Sequence, residues 1–468
     1  MNFSALIRML SFSTLLFSGG MIVCALAALI AGETTQLLVF LVTAILMSTL
    51  AAAALVLTGT PRRRAQPSDG LAFMVIFWFV MALVSAPPFL MGVANSSVIT
   101  AIHEAVSCLS TTGHTAFDPS NGPWPASLVL WRAILNLAGA VATITFAATV
   151  LAALNLDGPG IHRTHLFSLS DESFFDSMPR VLRMTVMVMA ICVLIVFAIE
   201  VIGGIPPHTA FLDAASAFST GLADPAGHQV DVTRHVRAFA LFLGLLMGSL
   251  GLFFLLQVGS GNLSAWIRDP ELGTLLVAIA VFAILAAFCG LSFFNAIGWA
   301  VSAISTSGIA LVSPSSTHAL PLALQLAPPL IGGAALSTTG GIKLARIYVL
   351  SRRVGQEFVR MGYRQSLLTF EFRRRIQSDR TIMGVWVYLV AYIMACVGGL
   401  LLFSFSGSGF ENAISNTVGS LTNSAHLVDV QDLPGDRVTQ VWLILGMILG
   451  RLEVLAFIPL FTASFWHR

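Results

Sequence analysis

The chain has 468 residues, of which 56% are hydrophobic and only 10% charged, with a formal net charge of +2. This composition excludes a soluble globular domain and indicates a protein with many membrane spans; the near-neutral charge offers nothing for a nucleic-acid partner. Charge is unevenly placed, since Lys343 is the only lysine and the arginines gather in loops between apolar runs.

In chain order, residues 6–31 and 36–57 are apolar and long enough to span a bilayer, with a short polar turn between them. The first run has no small-residue cleavage site ahead of a soluble domain, so it is expected to stay as an anchor. The following segment, 61–70, carries Arg62, Arg63 and Arg64, which the positive-inside bias assigns to the cytoplasmic face. From there the chain repeats one figure: a span, a short apolar run that ends in small hydroxyl residues, and a returning span.

Residues 107–115 read Ser-Cys-Leu-Ser-Thr-Thr-Gly-His-Thr; 216–223 read Ser-Ala-Phe-Ser-Thr-Gly-Leu-Ala; 302–309 read Ser-Ala-Ile-Ser-Thr-Ser-Gly-Ile; and 419–426 are a worn copy, Gly-Ser-Leu-Thr-Asn-Ser-Ala-His. Each is a half-helix broken inside the membrane, and such a break is tolerated only where the freed carbonyls are buried in protein or line a watery cavity. Four negative helix ends around one axis favour a dehydrated cation, and rings of carbonyls replace a hydration shell in cation filters. The candidate filter residues are therefore Thr111, Thr112 and Gly113; Ser219, Thr220 and Gly221; Thr306, Ser307 and Gly308; and Asn423, Ser424 and Ala425. Glycine accepts the backbone angles that turn carbonyls inward, and Ala425 restricts the fourth loop. The register of the second loop stays open, because six residues beyond Ser107 is Gly113 whereas six beyond Ser216 is Leu222. Glu104, Asp213, Asn295 and Glu411 read as caps at the starts of the half-helices, and Asp118, Asp224 and Asp429 as acids at the mouth.

The inside loops, one with Arg268 and the most basic at 351–380 with Arg352, Arg353, Arg360, Arg364, Arg373, Arg374 and Arg375, agree with the first orientation. Each unit thus begins and ends inside, so the repeats are parallel and both termini are cytoplasmic. The expected fold class is an all-α membrane protein with ten spans and four half-helices. Its parts are an N-terminal pair at 1–60 and repeats at 71–155, 180–260, 271–351 and 381–466.

Two further features stand inside spans. Residues 328–346 read Pro-Pro-Leu-Ile-Gly-Gly-Ala-Ala-Leu-Ser-Thr-Thr-Gly-Gly-Ile-Lys-Leu-Ala-Arg, a polar glycine-rich interruption that reads as an unwound loop beneath the filter. Lys343 and Arg346 lie where long side chains also reach the inner interface. Arg451 sits near the middle of the last span, where a charge marks an ion path or a buried partner; Glu453, two residues on, faces elsewhere, and the carbonyls of 335–341 are the better partner. The cysteines, Cys24, Cys108, Cys192, Cys289 and Cys396, fall in apolar segments without ligand spacing and read as packing residues.

At these residues the chain resembles the Trk, Ktr and HKT superfamily of potassium transporters, and within it the Trk branch. Gly332-Gly333 through Gly340-Gly341-Ile342-Lys343 to Arg346 is similar to the family's intramembrane loop. Leu449-Gly450-Arg451-Leu452-Glu453, on to Phe461 and Phe465-Trp466, is similar to its last helix. The resemblance implies potassium uptake across the bacterial inner membrane, with the ion held at Thr112, Thr220, Ser307 and Ser424. It implies a gate from Gly333, Ser337, Thr338, Thr339, Gly340, Gly341, Lys343 and Arg451. It also implies a homodimer in lipid, a separate cytoplasmic nucleotide-binding regulatory subunit and no bound cofactor. Departures at Ala425, His114 and His426 leave open a less selective sodium and potassium transporter, or a scaffold or sensor that no longer transports. No nucleophile motif supports an intramembrane enzyme.

Overall fold

The computed structural model describes residues 2–58, 67–94, 96–117, 124–151, 174–224, 235–259, 269–309, 311, 320–362, 371–372, 375–376, 379–428 and 437–452. Arg62, Arg63, Arg64, Asp118, Arg268, Arg364, Arg373, Arg374, Asp429, Glu453, Phe461, Phe465 and Trp466 lie outside the described residues.

The chain opens with an antiparallel pair, α1 (Phe3–Ala31) and α2 (Thr34–Thr58). Asn2 caps α1 by accepting from the Ala5 amide at 3.2 Å, and Gly32 ends it with φ 74°. Within the helix Ser11, Thr14 and Ser18 donate to carbonyls one turn back, the partner a hydroxyl finds in an apolar medium. This pair is fastened to the first repeat. Gln36 donates to Gly92 O at 2.7 Å, Glu33 accepts from the Ala126 amide at 2.7 Å, and Phe17 and Phe40 pack edge-on against Trp131.

The first repeat runs α3 (Pro67–Ser85), the short α4 (Pro87–Gly92), the half-helix α5 (Val98–Leu109) and α6 (Ala126–Phe146), which ends in a π-turn at Ala147–Leu151. The second contains α7 (Phe174–Ile202), the half-helix α8 (Pro207–Ser219), α9 (His235–Ser249) and α10 (Leu252–Gly259). The third contains α11 (Pro270–Phe288), the half-helix α12 (Phe293–Ile304), α13 (Leu322–Ile331) and α14 (Leu344–Gly362). The fourth contains α15 (Asp379–Phe405), the half-helix α16 (Phe410–Thr422) and α17 (Arg437–Arg451). Apart from a two-residue ladder, β1 (Glu371–Phe372) with β2 (Arg375–Ile376), the described residues are helices and their connections.

Seven of these helices are long and apolar enough to cross a membrane, eight when α9 and α10 count as one bent span. Large apolar side chains stay exposed along α2, α7, α11 and α15, among them Leu38, Leu57, Leu194, Val277, Phe288 and Met394, as expected of faces that meet lipid. The half-helices have 12 or 13 residues each, about 18–20 Å at 1.5 Å per residue, or half a bilayer's depth.

One expected span is not continuous: α9 and α10 meet at 111° instead of forming a single helix across 236–258. The cause is long-range. Backbone groups at the break are taken by residues of the glycine-rich loop, with Leu252 N donating to Leu336 O at 2.9 Å, Ala334 N to Ser249 O at 2.9 Å and Thr338 N to Gly248 O at 3.3 Å.

Candidate functional site

Each half-helix ends in the same unusual backbone. Thr111, Thr220, Thr306 and Asn423 all have positive φ, 55°, 58°, 59° and 54°, a conformation costly for residues with a side chain. Around them the contacts repeat at constant spacing. Ser107 Oγ donates to His114 O at 2.6 Å and Ser302 Oγ to Ile309 O at 2.6 Å, while Ser216 Oγ accepts from Ala223 N at 3.1 Å. Hydroxyls two apart pair at Ser110 and Thr112 (2.8 Å), Ser305 and Ser307 (3.2 Å), and Thr422 and Ser424 (3.1 Å).

These spacings set the register of the second loop. Thr220 is level with Thr111, Thr306 and Asn423; Gly221 is level with Thr112, Ser307 and Ser424; and Leu222 is level with Gly113, Gly308 and Ala425. Gly221 therefore does not supply the left-handed glycine expected of it. Only Gly113 (φ 77°) and Gly308 (φ 69°) do, and neither Leu222 nor Ala425 has positive φ. For the same reason Thr112, Thr220, Ser307 and Ser424 do not form one layer, Thr220 standing a residue out of step. Loops one and three each have two left-handed residues with one residue between them, Thr111 and Gly113, and Thr306 and Gly308, whereas loops two and four have one each, Thr220 and Asn423.

The four loops close into a ring. A Cβ on Gly113 would lie 2.2 Å from Leu222 N, one on Gly308 would lie 3.1 Å from the Ala425 Cβ, and Asn423 Nδ2 donates to Thr112 Oγ1 at 3.1 Å. Ala217, Val301 and Ile309 share an apolar cluster that joins loops two and three. Ser219 Oγ is turned back to Ala215 O at 2.6 Å, whereas Thr220 Oγ1 is buried without a partner among the described residues. Asn423 also donates to Met447 O at 3.0 Å, tying the fourth loop to α17.

Glu104 and Asp213 are not helix caps. They lie well inside α5 and α8, fully buried, and Ser97 instead caps α5 by accepting from Thr100 N at 3.1 Å. Glu104 pairs with Arg132 of α6, and Asp213 with Arg237 of α9 at 2.7 Å. Trp299 and Asn416 hold the equivalent places in the other repeats, so Asn295 and Glu411 are not equivalent to the two acids.

Arg132 was not singled out from the sequence, where it is one arginine at the start of an apolar run. It is fully buried and donates to Gly113 O at 2.7 Å, Ala223 O at 2.6 Å and Leu222 O at 3.2 Å, so it clamps loops one and two together. Asn136, one turn on, donates to Gly221 O at 3.2 Å. Asp224, read as a mouth acid, lies within electrostatic reach of Arg132.

Three glycines form a second set that the sequence did not reveal. A Cβ on Gly139 would lie 1.7 Å from Leu109 O, on Gly248 2.5 Å from Phe218 O, and on Gly450 2.4 Å from Leu421 O. In the register above, Leu109, Phe218 and Leu421 are the same position, the last turn of the half-helix. The returning spans thus touch the half-helix ends backbone to backbone, which only glycine permits.

The glycine-rich segment leaves α13 at Gly332 (φ 69°) and re-enters helix at Leu344, its ends paired by Ile342 N to Leu330 O at 2.9 Å and Lys343 N to Ile331 O at 3.0 Å. It lies against the ends of the half-helices. Thr338 Oγ1 donates to Phe218 O at 3.1 Å and Gly340 N to Thr306 Oγ1 at 3.2 Å, and Gly340 is so close to Thr422 O that a Cβ would come within 1.8 Å. Inside the loop Gly333 N donates to Thr339 Oγ1 at 2.9 Å, and Ser337 Oγ pairs with Thr339 Oγ1 at 2.7 Å. Gly341 has φ 81° and Lys343 φ 79°. Lys343 does not snorkel: its Nζ turns back to Ser337 O at 3.3 Å and to Thr339 O. Arg346 is likewise buried, over the Tyr388 ring at 4.0 Å.

Arg451 joins this loop to the first half-helix. It donates to Thr338 O at 2.6 Å and also to Ser110 O and Thr111 Oγ1. Every half-helix end therefore meets the loop directly or through Arg451.

A multi-pass membrane protein with four half-helices converging on one ring, their ends in contact with one glycine-rich loop, is the class that fold and site define. Its sequence is 26% identical over 499 residues to the Trk system potassium uptake protein TrkH of Salmonella typhimurium, covering all of both chains. It is 24% identical to TrkG of Escherichia coli with 98% of each covered, and 24% identical to TrkI of Halomonas elongata with 86% of this chain covered. The solved structure of the potassium transporter TrkH from Vibrio parahaemolyticus shares the fold over the full length of both chains, with a TM-score of 0.85 at 22% identity. No family model matches the chain. Over its full length the chain is thus similar to Trk system potassium uptake proteins, in line with the resemblance of its loop and last helix.

Proposed function

We propose that this protein carries potassium across the bacterial inner membrane, through a cation-selective passage lined by the four loops. The observation that carries this reading is the ring of left-handed residues Thr111, Thr220, Thr306 and Asn423 at four half-helix ends, a geometry that presents carbonyls and negative dipole ends to one centre. The relatives are named as potassium uptake proteins, which supports the choice of ion.

In this reading the filter comprises residues 111–113, 219–222, 306–308 and 423–425. The gate comprises Gly333, Ser337, Thr338, Thr339, Gly340, Gly341 and Lys343 with Arg451, whose contacts to Thr338 O and Ser110 O favour a resting closed state. The repeats at 71–155, 180–260, 271–351 and 381–466, the cytoplasmic termini, a homodimer and a cytoplasmic nucleotide-binding regulatory subunit complete the proposal. Rubidium uptake in a potassium-auxotrophic host tests it: expression should restore growth at low potassium and saturable uptake, and no uptake from correctly inserted protein overturns it.

A second reading, weak discrimination between potassium and sodium, is favoured by Leu222 and Ala425. Two of the four equivalent positions lack the left-handed glycine, so two loops present fewer or displaced carbonyls.

A further inference from the structure

Three of the four left-handed residues at the half-helix ends are threonine, and the fourth is Asn423. Asparagine takes positive φ more readily than a residue branched at Cβ. The side chains also do different work. Thr111 Oγ1 accepts from Arg451 of the last helix, and Thr306 Oγ1 accepts from Gly340 N of the glycine-rich loop at 3.2 Å. Asn423 gives instead: its Nδ2 donates to Thr112 Oγ1 of the first loop at 3.1 Å and to Met447 O of α17 at 3.0 Å. Asn423, Thr112 and Met447 have no exposed surface.

The orientation of this amide is fixed, because Met447 O can only accept and the atom facing it must be the NH2. Its two hydrogens go to two different elements, a division that a single threonine hydroxyl cannot make. Thr112 Oγ1, with one lone pair filled by Asn423, keeps its own hydrogen for Ser110 Oγ at 2.8 Å, and Ser110 Oγ donates to Ser107 O at 3.3 Å. Asn423 thus heads a line of hydrogen bonds that runs back down the first loop. Its Oδ1 lies against Gly450, where an added Cβ would come within 2.8 Å of it. Met447 stands one turn before Arg451, which grips Ser110 O and Thr111 Oγ1. One amide therefore joins the first and fourth loops to each other and to α17.

We propose that Asn423 is a specificity-determining residue of the passage: its amide sets the spacing between the first and fourth loops and pins that seam to α17. The role in selectivity rests on the function proposed above. A cation filter discriminates through the number and placement of the oxygens that surround a dehydrated ion. Arg132 clamps loops one and two, and Gly308 packs closely on Ala425 between loops three and four. The seam between loops four and one is held by the Asn423 amide, and without it the two loops part and the ring loses its fixed size.

Rubidium and sodium influx into proteoliposomes of the purified full-length protein tests this. Asn423→Thr installs the residue of the other three loops, and Thr112→Val removes the acceptor while leaving Asn423 in place. Each should lower the rubidium-to-sodium flux ratio by about two- to tenfold, the span of one net hydrogen bond. The double variant should fall no further than Asn423→Thr alone, because both changes remove the same bond. Thr112→Ser, which keeps the Oγ, should recover most of the ratio lost in Thr112→Val. Loss of folded protein lowers both fluxes together and leaves the ratio unmoved, and Thr112→Val carries the test where Asn423→Thr fails to insert. Unchanged ratios, or a double variant whose loss is the product of the two single losses, overturn the role of Asn423 and leave rubidium uptake standing. A wild type that passes neither ion overturns the transport reading together with it.

Discussion

Arg451 donates to Thr338 O at 2.6 Å and, from the same guanidinium, to Ser110 O, so one side chain holds the glycine-rich loop against the end of the first half-helix. Both acceptors belong to interrupted helices and have few other donors to turn to, because each break has already removed the amide that a continuous helix would supply.

Replacing Arg451 with alanine should raise basal cation leak, measured as rubidium flux in proteoliposomes without any activating partner. It should also lower stability, since each carbonyl left unpaired costs about 1–3 kcal/mol. Arg451→Lys should rescue little, because an ammonium lacks the planar fork that reaches three acceptors at once. Unchanged leak in well-folded Arg451→Ala would count against a gating role.

Removing either partner of the Glu104–Arg132 pair should destabilise the protein by about 3–5 kcal/mol, as breaking a fully buried ion pair leaves one charge uncompensated. Arg132→Met should in addition loosen Gly113 O, Leu222 O and Ala223 O, and so change the relative rubidium and sodium fluxes. Thermal unfolding in detergent and flux ratios read the two effects separately.

Gly450→Ala should abolish assembly or uptake, because the new methyl group meets the Leu421 carbonyl, which is backbone and cannot move aside. Gly384→Ala makes the matched control, with nothing within 4 Å of its added methyl group. Size-exclusion profiles and uptake should separate the two variants; equal behaviour would remove the close approach as a constraint.

Ala425→Gly and Leu222→Gly should each sharpen potassium over sodium discrimination, and the pair more than either alone. Ion-replacement fluxes measure this. A wild type that already discriminates strongly, with glycine variants no better, would show both residues to be tolerated substitutions.

Reporter fusions after Arg64 and Arg375 should both read as cytoplasmic; an external signal from either would overturn the parallel topology.

The four-unit layout was legible in the sequence because its signals are local. Apolar run length records bilayer thickness, a Ser-Thr-Gly break records where a helix must stop, and the run from Gly332 to Lys343 cannot continue a helix whatever surrounds it. Arg451 was legible for a related reason, as a charge in mid-span needs a partner wherever the chain supplies one. The register of the second loop was not, since Gly221 and Leu222 fit the pattern equally until the Ser216 to Ala223 contact chose between them. Nor was the break between α9 and α10, where the Leu252 amide and the Gly248 and Ser249 carbonyls pair with Leu336, Thr338 and Ala334, far along the chain.

What the sequence by itself determined, then, is the number of units, the places where helices break and the chemistry available at each break, all consequences of neighbours along the chain. Only the tertiary structure decided that Glu104 and Asp213 are ion-pair partners instead of caps, that Arg132 clamps two loops, and that Gly139, Gly248 and Gly450 are needed for close approach. A side chain's charge is paired, and a missing Cβ is required, only by what packs against it. In this fold those partners arrive from other helices, so no periodicity in the sequence carries the information.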